Sequence, residues 1–307
     1  MNYYHNPVNT TFPPTVIALG KFDGIHLGHQ KLVSEVVKRG GSDLKTAVFT
    51  FDSSILEYMS QGLLPLTRED ERIRMFEELG IEYMASYSFD EALRNMSREQ
   101  FVSEILIGRL SAKKVVVGED FRFAKDREGS ASWLKEVSDT YGIEAIVVGD
   151  VNENDIRVSS SGIREYLSSG EVVKANEMLG RPFSIEGQII HGRELGRTIG
   201  IPTTNVRMPS EQFVPMKGVY ITRNHIEGEV VYGVTNIGFK PTVNGHHLLL
   251  ETNLFNFYKD VYGRTMRTEF LEFIRPERKF NSVMDLTMEM EDNILQAKSY
   301  LRKRFGW

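Results

Sequence analysis

Over its first half the chain alternates short β-branched apolar runs with helix-length amphipathic segments, and past residue 181 that alternation stops. Strand, helix and strand in repetition dictate a parallel sheet with helices on both faces, an α/β class. The strand-like runs are TVIAL (15–19), KTAVFTF (45–51), YMASYSF (83–89), KKVVVG (113–118) and IEAIVVG (143–149). Helices are expected over about 28–39, over 67–79 with Thr67 as N-cap and Gly80 as stop, and over 130–141. Another starts at Ser97, where Gln100 completes a capping box ahead of Phe101, Ile105 and either Ile107 or Leu110. In such sheets ligands bind beyond the carboxyl ends of the strands.

Two short helical segments, SGIREYLSSG and EVVKANEMLG, then stop at Gly170 and Gly180. A domain boundary is expected near Arg181-Pro182, giving domains 1–181 and 182–307. Beyond it FSIEGQIIHG, KGVYITRNHIEGEVVYGVTNIG, HLLLETNLFNF and RTMRTEFLEFIR alternate as strands, so an antiparallel sheet or small barrel is expected. The chain closes on an amphipathic helix carrying Val283, Leu286, Met290, Ile294, Ala297 and Leu301 at steps of three and four. Its cations Lys298, Arg302, Lys303 and Arg304 crowd the end that the helix dipole favours. A length of 307 residues fits two domains. The net charge of −5 argues against a nucleic-acid partner. The absence of cysteine excludes disulfides and cysteine zinc sites and fits a cytoplasmic location. MNYYHNPVNTTFPPT lacks the layout of a signal peptide, and no apolar run is long enough to span a membrane. Partners are therefore expected among small molecules; oligomeric state is not legible.

Two of the seven histidines, His26 and His29, stand three residues apart in ALGKFDGIHLGHQKLV, directly after the first strand. If Gly28 and His29 open the helix, its first-turn amides and both imidazoles face the strand end, which makes a phosphate site. Imidazoles there would donate to a phosphoryl group as charge develops, while Gly20 and Gly24 let the backbone come close. Two ordinary surface histidines, or a zinc site lacking its third ligand, are the competing readings. The glycine frame and the position after the first strand favour phosphate.

Three further segments carry chemistry. VVVGEDFRFAKDREGS sets Gly118, Asp120, Phe121, Arg122 and Phe123 after a strand, suited to a flat polar ring, although a plain strand with a satisfied aspartate reads equally well. VSSSGIREYL offers hydroxyls and Arg164 at a helix start, suited to a polyphosphate; a serine cap beside a solvated arginine is the simpler reading. HGRELGRTIGIPTTN repeats Gly192, Gly196 and Gly200 with Arg193 and Arg197 among them, so amides and guanidinium groups can meet phosphates. Thr203 and Asn205 then present hard oxygens suited to Mg²⁺. The Gly-Lys-Ser/Thr ending of a Walker A loop is absent, and a flexible turn between strands is the alternative.

Together these segments resemble the nucleotidylyltransferase superfamily, and more closely the bacterial bifunctional FAD synthetases, which join a riboflavin kinase to an FMN adenylyltransferase. The resemblance is carried in order by GKFDGIHLGH, VGEDFRF, VSSSGIREYLSSGEVVKANEMLGRPFSIEGQIIHG, GRTIGIPTTN, NIGFKPT, ETNLFNF and FIRPERKF, over nearly the whole chain. It implies a Rossmann-like nucleotidylyltransferase domain followed by a small antiparallel β-barrel with a terminal helix. Riboflavin, FMN and ATP are the implied substrates, FAD the product, and Mg²⁺ the implied metal. His26 and His29 would serve the α-phosphate, with Gly20, Phe22, Asp23, Gly24, Ser159, Ser160 and Arg164 around the nucleotide. In the second domain Gly192, Gly196, Arg197 and Gly200 would cradle phosphates, Thr203 and Asn205 would hold the Mg-nucleotide, and Glu251 would be the general base for the ribityl 5′-hydroxyl. Asp120, Phe121, Asn236 and Arg275 would contact flavin. The chain departs from the pattern in three places: FDSSILEY replaces a PHP-like segment after the second predicted strand, Ala124 replaces a glycine after FRF, and Ser161 replaces a threonine. An FMN adenylyltransferase with a degenerate kinase domain, or a non-catalytic flavin-binding regulator, are the alternative functions.

Overall fold

The first unit of the computed structural model, Met1–Ser160, is built on a parallel sheet that contains, among the described residues, six strands. These are β1 (Asn2–His5), β2 (Thr15–Leu19), β3 (Lys45–Phe51), β4 (Tyr83–Tyr87), β5 (Ala112–Gly118) and β6 (Glu144–Val148). The structure describes all residues except Asn9, 53–54, 56–57, 59–62, 193–195, 197–199 and 243–244; for 239–242 and 245–247 it describes the backbone only. The strand order is β1-β4-β3-β2-β5-β6 with every pairing parallel. The chain winds outward one way from β2 and then the other way from β5, so the strand order reverses between these neighbours. Every residue of β2 is buried. Ile17 and Leu19 feed one core with Phe49 and Phe101, while Val16 and Ala18 feed the opposite one with Val36 and Phe76.

Helix α1 (Leu27–Arg39) follows β2, α2 (Glu69–Glu78) precedes β4, and α3 (Ala131–Tyr141) precedes β6. The cap of α2 is Arg68 rather than Thr67, which is buried; Glu71 reaches back to accept the Arg68 amide at 3.2 Å. Gly80 ends that helix as expected, in the left-handed region at φ 89°. Ser97 and Gln100 form the expected capping box, but the helix widens to π geometry over Phe101–Arg109, and the Leu110 amide reaches back five residues to the Ile105 carbonyl at 3.0 Å. The wider turn lets Phe101, Val102, Ile105 and Leu106 all bury. Strand β1 was not foreseen, because NYYH carries no apolar alternation.

The second unit, Ser161–Trp307, begins upstream of the boundary read near Arg181. Two helices, α4 (Ser160–Ser168) and α5 (Val172–Leu179), lead into it. They are tied to the sheet beyond them: Asn176 donates to the Phe270 carbonyl at 2.8 Å and accepts the Phe183 amide at 2.7 Å. Strands β7 (Phe183–Ile190), β8 (Thr204–Arg207), β9 (Gly218–Ile226), β10 (Glu229–Thr242), β11 (Gly245–Leu254) and β12 (Thr265–Pro276) close an antiparallel barrel in the order β7-β8-β11-β10-β9-β12. Tyr220, Thr222, Thr235, Ile237, Leu250, Thr252 and Phe270 are fully buried in this unit. The threonines satisfy one another, Thr222 to Thr235 at 2.7 Å and Thr235 to Thr252 at 2.9 Å. Alternation then turns the neighbouring Asn236 and Glu251 to the opposite face of the sheet. The terminal helix α6 (Val283–Phe305) is capped by Ser282 and packs Ala297 and Leu301 against Ile221, Phe255 and Leu271.

Candidate active sites

The turn that joins β2 to α1 lies at the carboxyl edge of the sheet, beside the reversal of strand order, where open α/β sheets bind ligands. Its backbone is unusual. Phe22 and Ile25 hold left-handed φ values of 51° and 40°, and Gly24 one of 86°. Such strain persists only where the surroundings fix it, and both apolar side chains are fully buried. Asp23 is buried as well; its carboxylate accepts the Leu66 amide at 2.8 Å and its carbonyl accepts the Ser160 hydroxyl at 2.8 Å. Ser159 immediately precedes α4. Gly20 has little room for a side chain, since a β-carbon there would meet the Phe22 ring at 3.2 Å. Arg72, which the sequence did not mark, donates to the Lys21 carbonyl and to Thr50, each at 3.2 Å. Burial pushes its guanidinium pKa down, against the pull of Glu69 and Asp23.

His26, rather than Gly28, begins the helix turn: it is the N-cap of α1, and its Nδ1 accepts the His29 amide at 3.3 Å. One first-turn donor is thus spent internally. With Nδ1 accepting, the neutral imidazole carries its proton on Nε2. The two rings stack at 3.6 Å with 16° between their planes, and His29 meets the edge of Phe22 at 5.1 Å. Among the described residues, no group of three or more His, Asp or Glu is arranged to hold a metal ion.

Further along the same edge, Asp120 is exposed after β5 and its carboxylate takes the Arg157 guanidinium at 2.5 Å, with Asp150 on the same guanidinium at 2.7 Å. Hydrogen bonds to Asp120 and Asp150 hold the Arg157 pKa up. Phe121 is half-buried and stacks on Phe123 at 5.6 Å.

In the second unit one row of cross-strand partners runs across five barrel strands: Asn205 pairs with Glu251, Glu251 with Asn236, Asn236 with Val219, and Val219 with Arg275. A cavity of about 210 Å³ opens on this row, lined by Thr203, Asn236, Glu251 and Arg275 and, on α6, by Met290 and Asn293. Arg275 is held by Glu289 at 2.6 Å and Asn293 at 3.2 Å; burial, then the nearby Arg278, lowers its pKa. The glycine loop is shaped around Thr203 and Asn205. A β-carbon on Gly192 would fall 2.2 Å from the Asn205 amide nitrogen, and one on Gly196 2.3 Å from the Ile201 carbonyl and 3.3 Å from the Thr203 hydroxyl. Gly200 takes a φ of 79°. Arg193 and Arg197 lie outside the described residues. Asn205 is buried, and its Oδ1 accepts no hydrogen bond from the described residues. A hard amide oxygen with no partner among the described residues, two positions from a threonine hydroxyl in sequence, fits the donor chemistry of Mg²⁺. Arg164, on α4, lies over the Phe213 ring at 5.6 Å.

A family profile described as FAD synthetase matches residues 8–162, and one described as riboflavin kinase matches residues 179–301. The chain belongs to the bifunctional riboflavin kinase/FMN adenylyltransferase family. A family member of that name from Bacillus subtilis is 36% identical over 96% of this chain and 95% of its own length. The bifunctional relative from Haemophilus influenzae is 34% identical over 96% and 97%. A solved structure described as a macrolide-efflux protein of Streptococcus pneumoniae superposes with a TM-score of 0.87 at 29% identity, covering 97% of this chain and 99% of that one. Among the described residues of this family member no helix is long and apolar enough to cross a membrane.

Proposed function

We propose that the chain makes FAD in two transfers, divided between its halves as 1–181 for adenylylation and 182–307 for phosphorylation. The second half moves the γ-phosphoryl group of ATP to riboflavin, giving FMN. The first half joins FMN to the α-phosphorus of a second ATP, giving FAD and pyrophosphate. The observation that carries this reading is the row Asn205–Glu251–Asn236–Val219–Arg275, whose Glu251, Asn236 and Arg275 line one cavity together with Thr203, with the metal-type oxygen of Asn205 paired to Glu251 at the end of the row.

Glu251 takes the proton of the ribityl 5′-hydroxyl as that oxygen attacks the γ-phosphorus. Asn236 and Arg275 orient the flavin, and Gly192, Gly196, Arg197 and Gly200 receive the phosphates. Thr203 and Asn205 would hold Mg²⁺, which when bound neutralises phosphate charge. In the first half the nucleophile is the FMN phosphate, so no protein nucleophile is needed, and catalysis rests on positioning and charge neutralisation. His26 donates through Nε2 to the α-phosphate with His29 beside it. Gly20, Phe22, Asp23, Gly24, Ser159 and Ser160 shape the nucleotide site, Arg164 neutralises the departing pyrophosphate, and Asp120 and Phe121 border the flavin. Both steps consume ATP, in keeping with a cytoplasmic enzyme.

A chromatographic time course from riboflavin, ATP and Mg²⁺ tests the reading. FMN should appear first and FAD second. FAD from supplied FMN with no FMN from riboflavin would leave only the adenylyltransferase, and saturable flavin binding without ATP turnover would leave a regulator.

A further inference from the structure

Three strands of the first unit end side by side, and each delivers one polar residue to the carboxyl edge. His5 is the last residue of β1, Asp52 follows β3, and Ser88 follows β4. His5 Nε2 lies 3.1 Å from Asp52 Oδ2, the Ser88 hydroxyl donates to that same oxygen at 2.6 Å, and His5 and Ser88 are 3.4 Å apart. Asn6 braces the group, donating to the Ser88 hydroxyl at 3.0 Å and accepting the Ser88 amide at 2.8 Å. To do so it adopts a left-handed φ of 48°. The set is firmly built, yet the His5 side chain stays 47% exposed. Burial does not account for it.

We propose that His5, oriented by Asp52 and Ser88, binds the polar imide edge of the isoalloxazine ring of FMN in the adenylylation site; this rests on the adenylyltransferase reading above. The placement supports it. His5 is level with Ser86, Ser86 with Thr50, and the preceding pair is Phe49 with Leu19, so Gly20 lies three strand spacings away. At roughly 4.8 Å per spacing that is about 14 Å along the carboxyl edge. A phosphate held at the Gly20–His29 turn, a five-carbon chain and a three-ring head cover such a span. Aromatic surface lies next to the cluster, with Phe51 edge-on to Phe89 at 5.5 Å and Phe89 against Tyr58 at 5.1 Å. The chain also reads FDSSILEY where the family pattern has a His-Pro segment, and the imidazole beside Asp52 arrives from β1 instead.

The chemistry matches as well. In the neutral imidazole, Asp52 taking the Nε2 proton leaves Nδ1 of His5 as an acceptor. The imide edge of a flavin presents one N–H donor between two carbonyls, so Nδ1 accepts from flavin N3–H. A site built to accept from a substrate N–H rejects the analogue that lacks it.

The test compares the full-length parent with His5→Ala and His5→Gln, using FMN and 3-methyl-FMN as adenylyl acceptors. His5→Ala should raise the KM for FMN about tenfold, the loss of one good hydrogen bond, and leave the KM for ATP and the riboflavin kinase reaction as in the parent. The parent should reject 3-methyl-FMN, His5→Ala should not, and His5→Gln, which keeps an acceptor, should recover part of the preference. A KM for FMN within about twofold of the parent, or undiminished rejection of 3-methyl-FMN by His5→Ala, overturns the proposal. A parent that made no FAD from FMN would instead sink the adenylyltransferase reading, and this one with it.

Discussion

The hydroxyl of Ser160 donates to the main-chain carbonyl of Asp23 at 2.8 Å across 137 residues of sequence. It fastens the serine segment to the turn that carries His26 and His29. Ser160→Ala deletes that donor and should cost about 1–2 kcal/mol of stability. FAD formation should fall more than FMN formation, because only the first half depends on this turn. Chemical unfolding and the two assays check both; equal losses in the two activities would show that the bond serves general stability alone.

His29→Ala should lower FAD formation by about 10²–10³, the usual effect of losing one transition-state donor, while FMN formation continues. His26→Ala should do the same and in addition cost about 1 kcal/mol, since His26 also caps α1 through the His29 amide. A His29→Ala enzyme that made FAD near the parental rate would refute the role given to the pair.

Glu251→Gln keeps the shape of the side chain and removes its basicity. Riboflavin phosphorylation should drop about 10²–10⁴-fold, the range for general bases, whereas FAD from supplied FMN should form as before. Undiminished kinase turnover would exclude Glu251 as the base.

What the sequence revealed and what it hid divide on physical grounds. Period-two and period-3.6 patterning made the parallel sheet, the barrel strands and α6 legible, because in each of them burial follows the period. β1 escaped because an edge strand carrying Asn2, Tyr3, Tyr4 and His5 buries too little to alternate. Arg72 escaped because a guanidinium satisfied by the Lys21 carbonyl and Thr50 reads in sequence as an ordinary helix charge. Asn205, Asn236, Glu251 and Arg275 were named through family motifs, but their common row depends on barrel register, which no local pattern encodes. The helix starts one residue earlier than read, at Leu27, because His26 keeps an extended backbone (φ −71°, ψ 173°) and its imidazole caps the His29 amide.

Glu272, half-buried on β12, provides a pH test. Burial pushes its pKa up from 4.5, partly offset by the Phe273 amide. The folded state therefore holds the proton more tightly than the unfolded chain. This contribution is fully present below the unfolded value and is lost as pH rises through the folded one. Glu272→Gln removes the penalty at high pH. The variant should be the more stable protein at about pH 7, with the gap closing by about pH 4. Denaturant midpoints at the two values check it, and a gap that widens on acidification would contradict the sign.

Ala124 holds φ 65° and ψ −176°, a backbone region that is nearly exclusive to glycine and costs other residues about 1–3 kcal/mol. It stands where the family pattern has glycine. The turn it opens is confined, because Phe123 and Gly129 pair across it and a β-carbon on Gly129 would come within 2.6 Å of the Phe123 ring. The chain therefore cannot relax Ala124 without moving that ring, which packs on Phe101 at 5.1 Å. Ala124→Gly should release the strain, while the freer unfolded chain takes back about 0.4–1 kcal/mol. The net gain should be about 1 kcal/mol, or about 2–4 °C in Tm for a unit of this size. Calorimetry on the full chain reads the shift, and an unchanged or lower Tm would mean that the surrounding ring packing, rather than the missing glycine, sets the conformation at Ala124.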